Sequence, residues 1–386
     1  MYFSKEIGES LTFKFSQAAK EMKSQGKEII SLGLGEPDFK TPQYIIDETI
    51  NAINNGQTGY SMSQGLPELR GNIANRATMD YGVKYDSMEV IVTPGIKASI
   101  YMALSSILMP YDEVIIISPY YVSYPHLIKL AEPTAIINIV PLNKDNYSLD
   151  INKIEDVIND RTKCIIINSP HNPTGMCLNK LEIESLIDIC LKNNIYLLSD
   201  EVYEKLTYKN NSFISFASYP NIKDKLILTN GYSKSYAMTG WRIGYTIAPK
   251  PIIHKMNLMQ QHINTNTCTF VQKGACSIYK NDQTHIDSYI EELELRMNYF
   301  HNMINDSHVM KGVMPQGGFF YFADISKTKL TSNDYCVKLL KETGIASTPG
   351  VAFGYDWDNY VRFSLSTSMN TIKRACNLIE KFNEQF

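Results

Sequence analysis

Residues 163–203 read KCIIINSPHNPTGMCLNKLEIESLIDICLKNNIYLLSDEVY, and their pattern decides the fold. Lys163–Asn168 and Ile195–Ser199 are apolar on consecutive positions, so each predicts a strand covered on both faces. Between them Ile183, Leu186, Ile187, Cys190 and Leu191 recur at i, i+3, i+4, i+7 and i+8, which predicts a helix over Leu181–Lys192. Asn179 is its expected cap, with Glu182 three residues on. The same kind of run appears on either side: Glu89–Thr93, Glu113–Ser118 and Ala135–Val140 before it, Lys225–Asn230 and Ile243–Ala248 after it. Strands alternating with helices predict an open α/β sheet, mainly parallel, with helices on both faces. Only about a dozen residues separate Asn230 from Ile243, marginal for a crossover helix, so the last run is expected to be antiparallel.

The ends of the chain differ. A helical pattern covers Thr12–Gln25, a long charged helix runs from Ile286 to about Asp306, and Gly317–Phe322 leads into an apolar strand. Near the C-terminus Ile372, Cys376, Ile379 and Phe382 share one helical face. The expected organisation is a large domain over 46–285 and a smaller α+β domain built from 1–45 and 286–386. At ~150 residues per domain the 386-residue length agrees with two or three domains.

Composition excludes several function classes. Lys+Arg 37 against Asp+Glu 40 leaves a net charge of −3, which supports neither a nucleic-acid nor an anionic-membrane surface. The longest apolar runs are far too short to span a bilayer, and Lys5, Glu6 and Glu9 interrupt any signal-peptide core. Seven scattered cysteines without Cys-x-x-Cys, and histidines without short ligand pairs, argue against a disulfide framework or a metal site. A soluble protein of a reducing cytoplasm is expected.

In open α/β sheets ligands bind beyond the carboxyl ends of the strands, so the residues after each run are informative. Thr93 is followed by Pro94-Gly95-Ile96-Lys97, where a glycine opening a helix lets backbone N–H groups approach a phosphate. Ile117 is followed by Ser118-Pro119-Tyr120-Tyr121, an aromatic able to stack on a planar ring. Asn168 is followed by Ser169–Gly175 with Asn172 inside it, and Ser199 by Asp200-Glu201-Val202-Tyr203. Asn230 is followed by Gly231-Tyr232-Ser233-Lys234, and Arg242 comes eight residues after the lysine. Taken singly, these are turn-formers, caps and surface charges. Together at one edge of one sheet they are what a phosphorylated, protonatable aromatic aldehyde needs. A dinucleotide site at Gly33-Leu34-Gly35 is not expected, because Asp38 stands where the third glycine belongs and Pro37 breaks the entry to a helix.

The chain resembles the class I aminotransferases, pyridoxal-phosphate (PLP) enzymes of fold type I, and among them the subgroup that includes many bacterial aspartate aminotransferases. The resemblance runs nearly end to end. It is carried by Ser31–Pro42 (SLGLGEPDFKTP), Gly59-Tyr60 with Gly65–Arg70, Ser169–Gly175, Ser199–Tyr203, Ser233–Tyr245 (SKSYAMTGWRIGY) and Val361–Ser368.

It implies that Lys234 carries the cofactor and moves the proton, that Asp200 keeps the pyridine nitrogen protonated, and that Tyr203 and Asn172 hydrogen-bond the ring's phenolic oxygen. It implies that Tyr121 stacks on the ring, and that Arg242, Ser233, the backbone around Gly95, Ile96 and Lys97, and Tyr60 of a neighbouring subunit hold the phosphate. Arg362 would fork onto the substrate α-carboxylate with a backbone contact at Gly35, and Lys97 would receive a distal carboxylate with Thr12 closing over it. The implied activity is amino transfer between aspartate or glutamate and a 2-oxo acid in a ping-pong mechanism, by a homodimer with composite sites. The alternatives are transfer from aromatic or other neutral amino acids, or a fold type I lyase, decarboxylase or carbon–carbon bond-forming reaction. Four positions depart from the common pattern: Tyr121 for a frequent Trp or Phe, His171 for a frequent Asn, Gly231 for a frequent phosphate-binding Ser, and Ile96 for a small residue.

Overall fold

A computed structural model describes Gly8 and residues 11–386, apart from the side chains of residues 11–14, 16 and 18. Its strands are β1 (Ile30–Ser31), β2 (Val90–Thr93), β3 (Glu113–Ser118), β4 (Ile136–Pro141), β5 (Thr162–Asn168), β6 (Tyr196–Asp200), β7 (Leu226–Gly231), β8 (Gly244–Ile247), β9 (Lys311–Gly312), β10 (Phe320–Asp324), β11 (Ile345–Ala346), β12 (Thr348–Pro349) and β13 (Tyr360–Ser364). Seven of them form one sheet in the order β2-β8-β7-β6-β5-β3-β4. All run parallel except β8, which is antiparallel to both neighbours, as its short connection required.

Alternate side chains of the central strands enter different cores. Ile115, Ile165, Ile167, Leu197 and Leu228 pack with Leu69 and Ile73 of helix Pro67–Tyr81 and with Ile183, Leu186 and Ile187 of helix Lys180–Lys192. Val114, Ile116, Ile166, Leu198 and Ile227 pack with Ile100 and Leu104 of helix Ile96–Ile107 and with Ile252 and Met256 of helix Lys250–Ile263. Each such side chain contributes about 1.5–3 kcal/mol by leaving water, so runs without polar alternation are what a sheet covered twice demands. Strand β4 departs from the expected burial: Ile136 and Ile139 are 39% and 46% exposed, because β4 is the outermost strand of the sheet.

The capping box at Asn179 forms as expected. Glu182 N–H donates to Asn179 Oδ1 at 3.0 Å, and Asn179 N–H donates to Glu182 Oε2 at 2.9 Å. A second sheet, β12-β13-β10-β9, is antiparallel throughout, and β1 pairs in parallel with β11, joining the N-terminal segment to the C-terminal third. Helix Thr284–Asp306 and helix Met369–Asn383 share the core of that smaller sheet, the latter through Ile372, Cys376, Ile379 and Phe382. The N-terminal helix spans Leu11–Ser24 and includes Thr12, whose side chain lies outside the described residues. Among the described residues no helix is long and apolar enough to cross a membrane.

Candidate active site

The parallel strands β2, β3, β5, β6 and β7 bring their carboxyl ends to one edge, which opens on a cavity of about 610 Å³. Its walls include Lys234, Asp200, Tyr203, Asn172, Tyr121, Ile96, Lys97, Ser233, Arg242, Arg362 and Gly35. Eleven positions singled out by sequence, from the N-terminal loop to β13, therefore meet in one space.

Asp200 closes β6, and its main-chain carbonyl accepts from Asn168 Nδ2 (2.8 Å) and Ser169 N–H (3.2 Å). Asn168 Oδ1 in turn accepts from Asn172 N–H at 2.8 Å, so the Ser169–Gly175 turn is pinned to the end of β6. The Asp200 carboxylate accepts from Tyr124 O–H at 2.8 Å and Val202 N–H at 3.3 Å. Burial pushes this carboxyl up to about 6, although Tyr124, Val202 and the charge of Lys234 pull it back. Lys234 follows β7, and its Nζ donates to the Gly35 carbonyl at 2.6 Å. Burial, reinforced by the Arg362 guanidinium, brings the Lys234 ammonium down to about 8 against the attraction of Glu36 and Asp200. The free amine is thus accessible near neutral pH. Burial also drives the Tyr203 phenol upward, so it enters the site as a neutral donor.

Arg362 projects from β13. Its Nη1 donates to Asn172 Oδ1 (3.0 Å) and its Nη2 to the Gly33 carbonyl (2.7 Å) and Thr348 Oγ1 (3.3 Å). The guanidinium lies over Phe320 and Phe353, 4.1 and 5.0 Å from the ring centroids, and its buried Nε has no protein partner. A buried, oriented cation with an unsatisfied N–H is a receptor for a carboxylate.

A second anion-binding arrangement lies at the start of helix Ile96–Ile107. Its first internal bonds run from Ala98 and Ser99 N–H to the Gly95 carbonyl, at 3.2 and 3.3 Å. The Ile96 and Lys97 N–H groups ahead of them remain for an anion. The N–H of Gly95 itself donates to the Thr93 carbonyl at 2.7 Å, so the contribution seen at this residue is space. With φ +90°, it lies where a Cβ would come within 2.5 Å of Arg242 Nη2. The helix start and the arginine, with Ser233 lining the same cavity, thus form a cradle suited to an anion that a side chain at residue 95 would crowd.

The unusual positions have local reasons. A Cβ on Gly231 would stand 2.9 Å from Gly244 Cα and 3.4 Å from Ile96 Cγ1, so the helix start is seated on a pair of glycines in β7 and β8 and leaves no room for a serine there. His171 turns away from the site. It lines a separate cavity of about 230 Å³, is bonded through Nδ1 to Thr174 Oγ1 at 2.8 Å, and is held neutral by burial, which pulls it down to about 4. Tyr121 stays at the wall with Lys97 Nζ 5.7 Å from its ring centroid. Tyr60 is 89% exposed and does not line the cavity of its own chain.

Sequence reading overlooked Tyr124, Glu36, Lys20 and Asn168. Of these, Lys20 comes from the N-terminal helix, and Glu36 accepts from Thr239 Oγ1 across the loops beside Lys234. The one available signal was at Tyr124, three residues and about one helical turn beyond Tyr121. Among the described residues no cluster of His, Cys, Asp or Glu could hold a metal ion. The lysine, the carboxylate and the cradle fit the phosphorylated aromatic aldehyde inferred from the strand ends, and the carboxylate receptor beside them fits an amino-acid substrate.

Comparison with known proteins agrees with this geometry. The family model for aminotransferase class I and II matches residues 27–379. The aspartate aminotransferase of Geobacillus stearothermophilus is 37% identical over 381 residues, 97% of this chain and 96% of that one. The structure of the Thermus thermophilus aspartate aminotransferase with maleate superposes with a TM-score of 0.94 at 30% identity, covering 99% of this chain and 98% of the other. The aromatic aminotransferase of Pyrococcus horikoshii superposes with a TM-score of 0.90 at 33% identity, covering 95% and 99%. With its cavity built as described and these matches running along almost its whole length, the chain belongs to the class I and II aminotransferases.

Proposed function

We propose that this aminotransferase uses PLP and moves amino groups between an acidic amino acid, aspartate or glutamate, and a 2-oxo acid by a ping-pong mechanism in the cytoplasm. The observation that carries the reading is the convergence of Lys234, Asp200, Arg362 and Lys97 on one cavity. When bound, PLP supplies a carbonyl that exchanges amino groups and a protonated ring that withdraws electrons.

The chain's own groups do the rest. Ile96 and Lys97 N–H, Ser233 and Arg242 would hold the phosphate, Asp200 would hold the ring-nitrogen proton, and Tyr121 would cover the ring. Tyr203 and the Asn172 amide donate to the phenolic oxygen; Asn172 Oδ1 is already taken by Arg362, which leaves its N–H groups as the donors. Arg362 fixes the α-carboxylate with the Gly35 backbone beside it, which orients the Cα–H bond. Lys234, as free amine, would take that proton from the α-carbon and act as the base and acid of the transfer. Lys97 takes the distal carboxylate, with Thr12 closing over it.

A homodimer with composite sites is part of the proposal. Tyr60 and Met62 are 89% and 56% exposed, and Leu258 and Ile263 are 44% and 54% exposed. Asn266 Nδ2 to Ser61 Oγ (3.1 Å) and Thr269 Oγ1 to the Gly59 carbonyl (2.7 Å) tie these segments together, and an apolar patch of this kind suits a second copy. Mixing an Arg242→Ala protein with a Tyr60→Phe protein is expected to restore activity through heterodimers holding one intact site; a fully active monomer in sedimentation would contradict the arrangement. The division into 46–285 and the paired ends 1–45 and 286–386 belongs to the same proposal.

The substrate reading is tested at Lys97. An ammonium–carboxylate contact in a closed site is worth roughly 2–4 kcal/mol, or some thirty- to several-hundred-fold in kcat/KM. Aspartate or glutamate is expected to exceed alanine and phenylalanine by about that margin, and Lys97→Met to erase most of it while sparing neutral substrates. Equal losses for both classes would assign Lys97 to the phosphate. The aromatic walls from Tyr121 and Phe320 favour a second reading, turnover of aromatic amino acids, which faster reaction of phenylalanine or tyrosine by the wild type would establish.

A further inference from the structure

Tyr124 is buried at 3% exposure, at the start of helix Tyr124–Ala131, in the apolar cluster that covers one face of the sheet. A phenol in such surroundings needs an acceptor, and its O–H donates to Asp200 Oδ2 at 2.8 Å. The direction is unambiguous. Burial and the neighbouring carboxylate push the phenol well above its ordinary value, so Tyr124 keeps its proton. The Tyr124 N–H also donates to the Tyr121 carbonyl at 2.9 Å, and the two rings meet edge to face at 5.5 Å and 82°. One turn of chain therefore carries both the residue assigned to cover the cofactor ring and the residue that grips the carboxylate beneath it.

Asp200 faces few other groups: the Val202 N–H, the charge of Lys234, and the Tyr203 phenol. Of its hydrogen bonds, that from Tyr124 is the shorter by half an ångström. A carboxylate has about four lone-pair positions, so the bond to Tyr124 leaves room for one to a ring nitrogen. It also draws electron density from the carboxylate and stabilises the anion over the acid.

We propose that Tyr124 is a positioning residue for amino transfer: its O–H holds the Asp200 carboxylate in place and weakens it as a base, so that the proton shared with the cofactor's ring nitrogen stays on the nitrogen. The proposal rests on the PLP reading given above. No bond other than the hydrogen bond changes, and the proton moves only along the line between Asp200 and the ring nitrogen.

The test uses the loaded protein with PLP labelled by 15N in the ring, whose chemical shift reports whether that nitrogen is protonated. In the wild type the signal is expected at the protonated end between pH 6 and 8 by this account. Tyr124→Phe should move it toward the unprotonated end and lower kcat about tenfold with KM nearly unchanged, the effect of one lost charge-assisted hydrogen bond. Placing 3-fluorotyrosine at position 124 gives a stronger donor of nearly the same shape, so the signal should stay at the protonated end; this variant also serves if the phenylalanine protein does not fold. A wild-type nitrogen that is not protonated, a Tyr124→Phe signal like that of the wild type, or a fluorotyrosine signal displaced toward the unprotonated end would each overturn the proposal. Failure of the PLP reading looks different: the wild type would then take up no cofactor at Lys234.

Discussion

Replacing Lys234 by alanine is expected to abolish turnover while leaving PLP binding measurable. Lys234 lines the same cavity as the Ile96–Lys97 helix start and Arg242, and the phosphate contacts proposed for those groups do not depend on it. On the proposed mechanism this removes the group that moves the proton, worth about 10²–10⁴-fold by itself, together with covalent attachment. Equilibrium dialysis should show retained cofactor affinity within about the range that phosphate contacts sustain, and a single-turnover assay should show no amino transfer. Exogenous methylamine is expected to restore part of the rate, because a diffusible base of similar chemistry can enter a cavity of about 610 Å³.

Asp200→Ala should lower kcat by about two to three orders of magnitude, the usual cost of removing one preorganised electrostatic group. On the proposed reading Asp200 holds the ring-nitrogen proton, and the nearby Tyr124 and Tyr203, which keep their own protons, do not replace it. The same burial that makes the group effective makes it costly. In the cofactor-free protein the folded carboxyl binds its proton up to about pH 6, above its ordinary value of 3.8. The folded state therefore holds the extra proton between those values, and stability is greatest below them and declines as pH rises through the window. Above pH 6 the penalty is on the order of 3 kcal/mol. Asp200→Asn, which keeps the shape without the charge, is expected to raise Tm of the cofactor-free protein at pH 7.5 and to leave it nearly unchanged at pH 4. An asparagine protein less stable at both pH values would show that the carboxylate is not under this strain.

Much of this was legible because it depends on local pattern. Lys163–Asn168 and Ile195–Ser199 are apolar on successive residues, and only a sheet covered on both sides accommodates that. Asn179 and Glu182 satisfy each other within one turn, so the helix start could be read directly. Parallel strands all deliver their ends to one edge, so the residues after them converge even though the chain separates them widely. The unread part depends on contacts between distant segments. Gly95 and Ile96 differ in whether the N–H is free, which is decided by the Thr93 carbonyl. The exclusion of a serine at residue 231 comes from Gly244 across the sheet, and the fate of His171 from the packing around Thr174. The exposure of Ile136 and Ile139 follows from the place of β4 in the strand order, which its own composition does not disclose. Tyr124 was unread for the same reason: it starts a helix, and its partner Asp200 lies 76 residues away at the end of β6.

Borohydride reduction of the PLP-loaded protein, followed by peptide mapping, tests the central claim most directly. A single reduced cofactor adduct is predicted on Lys234, lost in Lys234→Ala, with Lys97 and Lys20 of the same cavity unlabelled. An adduct on either of those lysines, or none at all, would contradict the account.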